Sequence, residues 1–174
     1  MITLSPIDLK AIVAAAEAGY PEEICGLLVG RWTTDDCCSV REVVPSDNVA
    51  SEKAKSFEID PALRFNLQRS LRGGDENIVG LYHSHPDHSA QPSARDLELA
   101  WEPDLVWLVT SVLAGEAVLT SAHTIERAGE RQRFCEIPLH TSDWTPDHDR
   151  PVIMALASTR SMAATEEPDE LWQR

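Results

Sequence analysis

Three stretches of strand length, residues 24–32, 78–83 and 105–111, are apolar along nearly their whole length instead of alternating with polar residues. A strand with one wet face alternates at period two, whereas a strand covered on both faces has no reason to. Such runs call for a sheet with helices laid on it, and the intervening sequence supplies them. Ser5, Pro6 and Asp8 mark a helix start, with Ser5 at the N-cap, and Leu9, Ile12, Val13 and Ala16 recur at helical spacing until Gly19 and Pro21 end the pattern. Asp60 and Pro61 open a second helix with Leu63, Leu67 and Leu71 on one stripe, closed by Gly73 and Gly74. A third helix is predicted to begin at Ser93.

Residues 24–32 and 39–44 read as a hairpin, and residues 117–122 and 133–139 as the closing strands. The fold class expected is α/β (α+β), a mixed β-sheet flanked by helices, formed by residues 1–140 as one domain. From about residue 141 the chain turns rich in turn formers and then acidic, so residues 141–174 are expected to be an acidic C-terminal appendage, partly disordered. Residues 152–156 are its one stretch suited to pack back on the domain.

Composition removes several classes of function. A formal charge of -14 repels nucleic-acid phosphates and anionic lipid, and the basic residues are scattered, so neither nucleic acid nor membrane is expected as a partner. No apolar stretch approaches a membrane span, and residues 1–6 lack the basic and apolar segments of a secretory signal. Cys25, Cys37, Cys38 and Cys135 form no Cys-x-x-Cys pair, which fits reduced thiols and a cytoplasmic location.

The chemistry concentrates at His83-Ser84-His85-Pro86, at the end of an apolar strand, and at Ser93-Ala94-Arg95-Asp96, at a helix start. Two imidazoles two residues apart on extended backbone point to the same side, and Asp96 in a first helical turn can add an oxygen. Three such ligands with a fourth position open describe catalytic zinc more than structural zinc. Taken alone, Ser-x-x-Asp is also a capping box, and the two roles are compatible.

The spacing of these residues resembles the JAMM (MPN+) zinc metallopeptidases, in compact prokaryotic form. His-x-His-Pro, six residues and Ser-x-x-Asp follow without a gap, and Glu23, two residues before Cys25-Gly26, stands where that family keeps its glutamate. The resemblance spans residues 2–139. It implies an MPN fold related to cytidine deaminase, zinc held by His83, His85 and Asp96, Glu23 as general base toward a zinc-activated water, and Ser93 steadying the oxyanion. It also implies a ubiquitin-like or sulfur-carrier protein with a Gly-Gly tail as substrate and partner. The main rival is a non-catalytic MPN scaffold, which usually has broken ligands; here every position is intact. A zinc nucleoside deaminase needs His-x-Glu and Pro-Cys-x-x-Cys, and the chain has neither.

His88 reads as a solvated loop residue, and His123, His140 and His148 have no partner spacing. Cys25 is expected to be a small core residue and not a nucleophile, and Trp101 and Trp107 to be core.

Overall fold

The computed structural model describes residues 1–34, 37–129 and 131–142; the segment 152–156 and most of the appendage lie outside them. The element order is β1 (Ile2–Leu4), α1 (Pro6–Gly19), β2 (Cys25–Thr34), β3 (Cys37–Ser46), α2 (Pro61–Ser70), β4 (Asn77–Pro86), α3 (Ala94–Leu99), β5 (Val106–Leu113), β6 (Glu116–Ala128), β7 (Arg131–Ile137) and β8 (Leu139–Thr141). The strands form one mixed sheet in the order β7-β6-β5-β4-β2-β3-β1-β8. The apolar runs became β2, β4 and β5 at its centre, with β2 antiparallel to β4 and β4 parallel to β5.

Each face of these strands feeds its own core. Leu28, Tyr82, Val106 and Leu108 join Ile2, Leu4 and Ile12 on one face, under α1, while Leu27, Leu81, Leu105 and Trp107 join Phe57 and Leu67 on the other, under α2. Burial on both sides is what the unbroken runs demanded. The helices begin where the capping residues stand: the Ser5 hydroxyl accepts from the Asp8 N–H at 3.0 Å, and the Asp60 carboxylate from the Ala62 N–H at 2.9 Å.

Three differences from the sequence reading bear on the site. First, β4 does not stop at His83 but runs through Pro86, because it pairs with β5 as far as Val112. Second, residues 133–139 are not one closing strand. Ile137 pairs with Ala122 on β6, whereas Leu139 pairs with Ile2 on β1, at the opposite edge of the sheet. Pro138 lies between, and its carbonyl accepts from the Ile2 N–H at 2.9 Å. Edges of a flat eight-stranded sheet would be roughly 33 Å apart, yet here they are joined by one residue, so the sheet curls until its two edges meet. Third, Trp101 is not core. It follows α3 and is 84% exposed, while Trp107 is buried as expected.

Candidate metal centre

His83 and His85 continue the face of β4 that carries Leu81, so pleating alone aims both rings into the same space. Their Nε2 atoms stand 3.0 Å apart. From the start of α3, the Asp96 carboxylate reaches them, Oδ1 lying 3.6 Å from His83 Nε2 and Oδ2 3.4 Å from His85 Nε2. All three side chains are buried, and they are the one group among the described residues whose ligand atoms, all within 4.8 Å of one another, could hold a metal ion.

The donor set and its spacing fit a divalent cation. Tetrahedral zinc with bonds of 2.0–2.1 Å places ligand atoms about 3.3 Å apart, and the three separations bracket that value. His85 Nδ1 donates to the Ser89 carbonyl at 2.8 Å, and because a carbonyl can only accept, this bond leaves the Nε2 lone pair facing the centre in the neutral ring. The ring of His83 is clamped by Phe57 stacked at 4.3 Å and by the edge of Trp107 at 5.8 Å. Its Nδ1 is buried with no hydrogen-bond partner among the described residues, so aromatic packing and not a hydrogen bond holds the far side of this imidazole.

Charges follow from the same contacts. Burial pushes His83 below the ordinary histidine range. Burial opposes protonation of His85 too, but its bonds to Asp96 and the Ser89 carbonyl outweigh it, and the net shift is upward. Asp96 would be raised by burial, yet the hydrogen bonds from His83 and His85 and from Ser93 hold it well below the usual carboxylate range. A cation entering here competes with the proton that these residues otherwise share.

Glu23 precedes β2 and is 8% exposed. Its backbone is held on both sides: the N–H donates to the Lys53 carbonyl at 2.7 Å, and the carbonyl accepts from Asn48 Nδ2 at 2.8 Å. Burial pushes its carboxyl up to about 7, offset in part by His85, reinforced by the negative charge of Asp96 and again offset by Arg95. Ser84, between the two histidines, faces the other way and ties the residue after Glu23 to β4. Its hydroxyl accepts from the Ile24 N–H at 3.0 Å, and its own N–H donates to the Ile24 carbonyl at 3.0 Å.

Ser93 and Asp96 form a complete capping box. The Ser93 hydroxyl donates to Asp96 Oδ2 at 2.7 Å and accepts from the Asp96 N–H at 3.1 Å, while Oδ2 also accepts from the Ser93 N–H at 2.5 Å. The cap and the triad are thus one device, since the bonds that start α3 also fix the carboxylate's rotamer.

The model of prokaryotic homologs of the JAB domain matches residues 7–129, a span that includes Glu23 and all three triad residues. The chain belongs to the prokaryotic JAB family. As a JAB-domain chain it is 36% identical over 91 residues to a desampylase of Haloferax volcanii, a match covering 52% of this chain and 63% of that protein. It is 32% identical over 103 residues to the CysO-cysteine peptidase of Mycobacterium tuberculosis, covering 59% of this chain and 68% of that one. The match therefore spans about two thirds of each relative's length. A protein of Desulfitobacterium hafniense solved in solution superposes with a TM-score of 0.66 at 31% identity, over 82% of this chain and 94% of that one.

Among the residues set aside in the sequence, Cys25 is buried and its thiol is pushed up to about 12 by burial, as suits a core residue. His88 is exposed and turns its Nδ1 to the Pro86 carbonyl at 2.8 Å. His140 is exposed, and His148 lies outside the described residues. His123, which has no partner spacing in the sequence, stands outside the ligand group; it is 1% exposed and bonded to the loop that leaves His85. Asn48 and Phe57, which hold Glu23 and His83, went unnoticed because they lie in a polar loop without periodicity. The Asn48 amide bonds four backbone groups at once, and an Asn placed just after a strand was the one available sign.

Proposed function

We propose that this JAB-domain chain is a zinc-dependent isopeptidase that hydrolyses the amide bond after the C-terminal Gly-Gly of a ubiquitin-like or sulfur-carrier protein. The reading rests on one observation: the ligand atoms of His83, His85 and Asp96, all buried, converge to within 4.8 Å of one another, with the buried carboxyl of Glu23 close enough to feel the charges of His85 and Asp96. Two imidazoles and one carboxylate, with no thiolate, suit zinc with a position left for substrate. Zinc bound there supplies a Lewis acid for the scissile carbonyl and lowers the pKa of the attacking water.

The chain's own residues handle the protons. A buried carboxyl beside the ligands can take a proton from water and return it to the departing amine, and Glu23 is assigned both steps. Ser93 is assigned the oxyanion. Its hydroxyl donates to Asp96 Oδ2 at 2.7 Å, so to serve the tetrahedral intermediate it would turn that hydrogen from the carboxylate to the oxyanion. Glycines suit the approach because an extended tail without side chains can lie against a strand edge close to the metal. Two relatives named desampylase and CysO-cysteine peptidase support a substrate of this class. We assign the activity to residues 1–140 and leave residues 141–174 as an appendage.

The test is elemental analysis of the purified chain together with cleavage of a ubiquitin-like carrier bearing one residue after Gly-Gly. About one zinc per chain and cleavage abolished by a chelator are expected. Zinc-free protein that leaves the carrier intact after zinc is added would point instead to a scaffold that binds partners without cutting them.

A further inference from the structure

The loop of residues 87–92 joins His85 to the helix start that carries Asp96, so its shape sets the distance between the two halves of the triad. It is largely exposed on its outer side, yet four successive residues are tied inward. The Asp87 N–H donates to the Val112 carbonyl at 2.7 Å, and its carboxylate accepts from Tyr20 Oη at 2.9 Å and from the Ala114 N–H at 3.0 Å. The next three carbonyls are each captured by a side chain. His88 O accepts from Ser111 Oγ at 2.6 Å, Ser89 O from His85 Nδ1 at 2.8 Å, and Ala90 O from Ser121 Oγ at 2.5 Å.

His123 completes the last clamp. Its Nε2 lies 2.8 Å from Ser121 Oγ and 3.2 Å from Ala90 O. Ser121 gives its one hydrogen to Ala90 O, so the short contact to His123 requires the imidazole to donate, and Nε2–H is shared between the hydroxyl and the carbonyl. Ser121 and His123 are two residues apart on β6 and face the same side, and both are buried. Ala90 is itself 3% exposed, so its carbonyl has no water to turn to, and the two buried donors on β6 are what satisfy it and fix its place.

We propose that His123 and Ser121 are positioning residues for the metal centre: by gripping the Ala90 carbonyl they hold the adjacent Ser89 carbonyl against His85 Nδ1, and so keep the His85 Nε2 lone pair aimed at the point where His83 and Asp96 converge. Their hydrogen bonds go to the Ala90 carbonyl and to each other, not to the triad. The order of contacts runs from β6 to Ala90, through one peptide unit to Ser89, and then to the back of the His85 ring. Groups that orient the far nitrogen of a metal-binding histidine commonly govern metal affinity by about 10–100-fold. The proposal rests on the reading of His83, His85 and Asp96 as metal ligands.

The experiment measures cobalt(II) and zinc affinity of the full chain by chelator competition, with the cobalt absorption bands as a report on ligand geometry and the melting temperature of the metal-free chain as a check on folding. His123→Leu is expected to bind about 10–100-fold more weakly and to alter the cobalt bands. His123→Gln, which returns an N–H near the position of Nε2, is expected to restore both. Ser121→Ala, a smaller change in case the Leu variant does not fold, is expected to weaken binding in the same direction. Wild-type affinity in a folded His123→Leu or in Ser121→Ala overturns the positioning role, as does a Gln variant no better than Leu. The underlying reading fails separately, if wild type and His85→Ala bind cobalt equally or not at all.

Discussion

Glu23 carries the strongest pH signature of the proposed mechanism, and it can be read in two ways. As a base, its replacement by Gln leaves the three ligands untouched, so Glu23→Gln is expected to keep its zinc and lose about 10²–10⁴-fold in turnover. Zinc content and single-turnover cleavage on the same preparation check both halves. As a buried acid, Glu23 has a pKa of about 7 in the folded chain against an ordinary 4.5, so the folded state holds the proton more tightly than the unfolded one. Its stabilising contribution is then complete below pH 4.5 and is lost as pH rises through about 7, worth at most about 3 kcal/mol. Denaturation of the metal-free chain at pH 4.5–8 is expected to show wild type losing stability relative to Glu23→Gln as pH rises. Equal slopes would mean that Glu23 is not desolvated. At this scale the convergence of His83, His85 and Asp96 could be read from the sequence because spacing encodes it, two residues along a strand and three along a helix start, whereas Glu23 was indicated only by the family resemblance. His123 could not. Its role depends on β6 lying beside the loop after His85, a relation that no spacing within β6 records.

Strand β4 shows what an element must supply for a site to exist at its end. Gly80 sits where β4 passes β5, and a Cβ there would lie 2.4 Å from the Val106 carbonyl oxygen, a backbone atom that cannot swing aside. Gly80→Ala is therefore expected to destabilise the chain by about 1–3 kcal/mol and to weaken zinc binding as His83 and His85 shift with the strand. A control at Gly74, where the nearest atom would be the Leu71 carbonyl oxygen at 3.5 Å, should change the urea midpoint little. Equal midpoints for the two variants would show that β4 and β5 can separate without loss. Elements as a class were legible wherever their signals were local. The N-caps of α1, α2 and α3 lie where the sequence put them, and the three unbroken runs became β2, β4 and β5, with β4 running on to Pro86. What failed was long-range: β1 is too short to show a period, and β8 looked like the end of β7 because nothing local says that Pro138 passes the chain from one sheet edge to the other. Trp101 misled because a large aromatic after a helix reads as core, whereas α3 ends before it can turn that side chain inward.

For the molecule as a whole, a cation at the triad ties β4 to α3 and should act as a stabiliser as well as a reagent. Zinc at a thousand times its dissociation constant is expected to add about 4 kcal/mol to unfolding, and His85→Ala to remove that increment while leaving the metal-free melting temperature near wild type. Thermal melts with and without zinc on both proteins decide it; an unchanged wild-type melt would mean that no ion binds the folded state preferentially. The curl that brings β8 to β1 bears on how fast the chain reaches this state. Ile2 and Leu139 come from opposite ends of the described chain, so their pairing closes almost the longest loop available, and its entropy cost falls due before the contact returns anything. Until that seam shuts, β1 offers an unpaired backbone edge to any neighbouring molecule. Refolding yield should consequently fall with rising protein concentration, because the same edge that waits for β8 can be taken by a second chain.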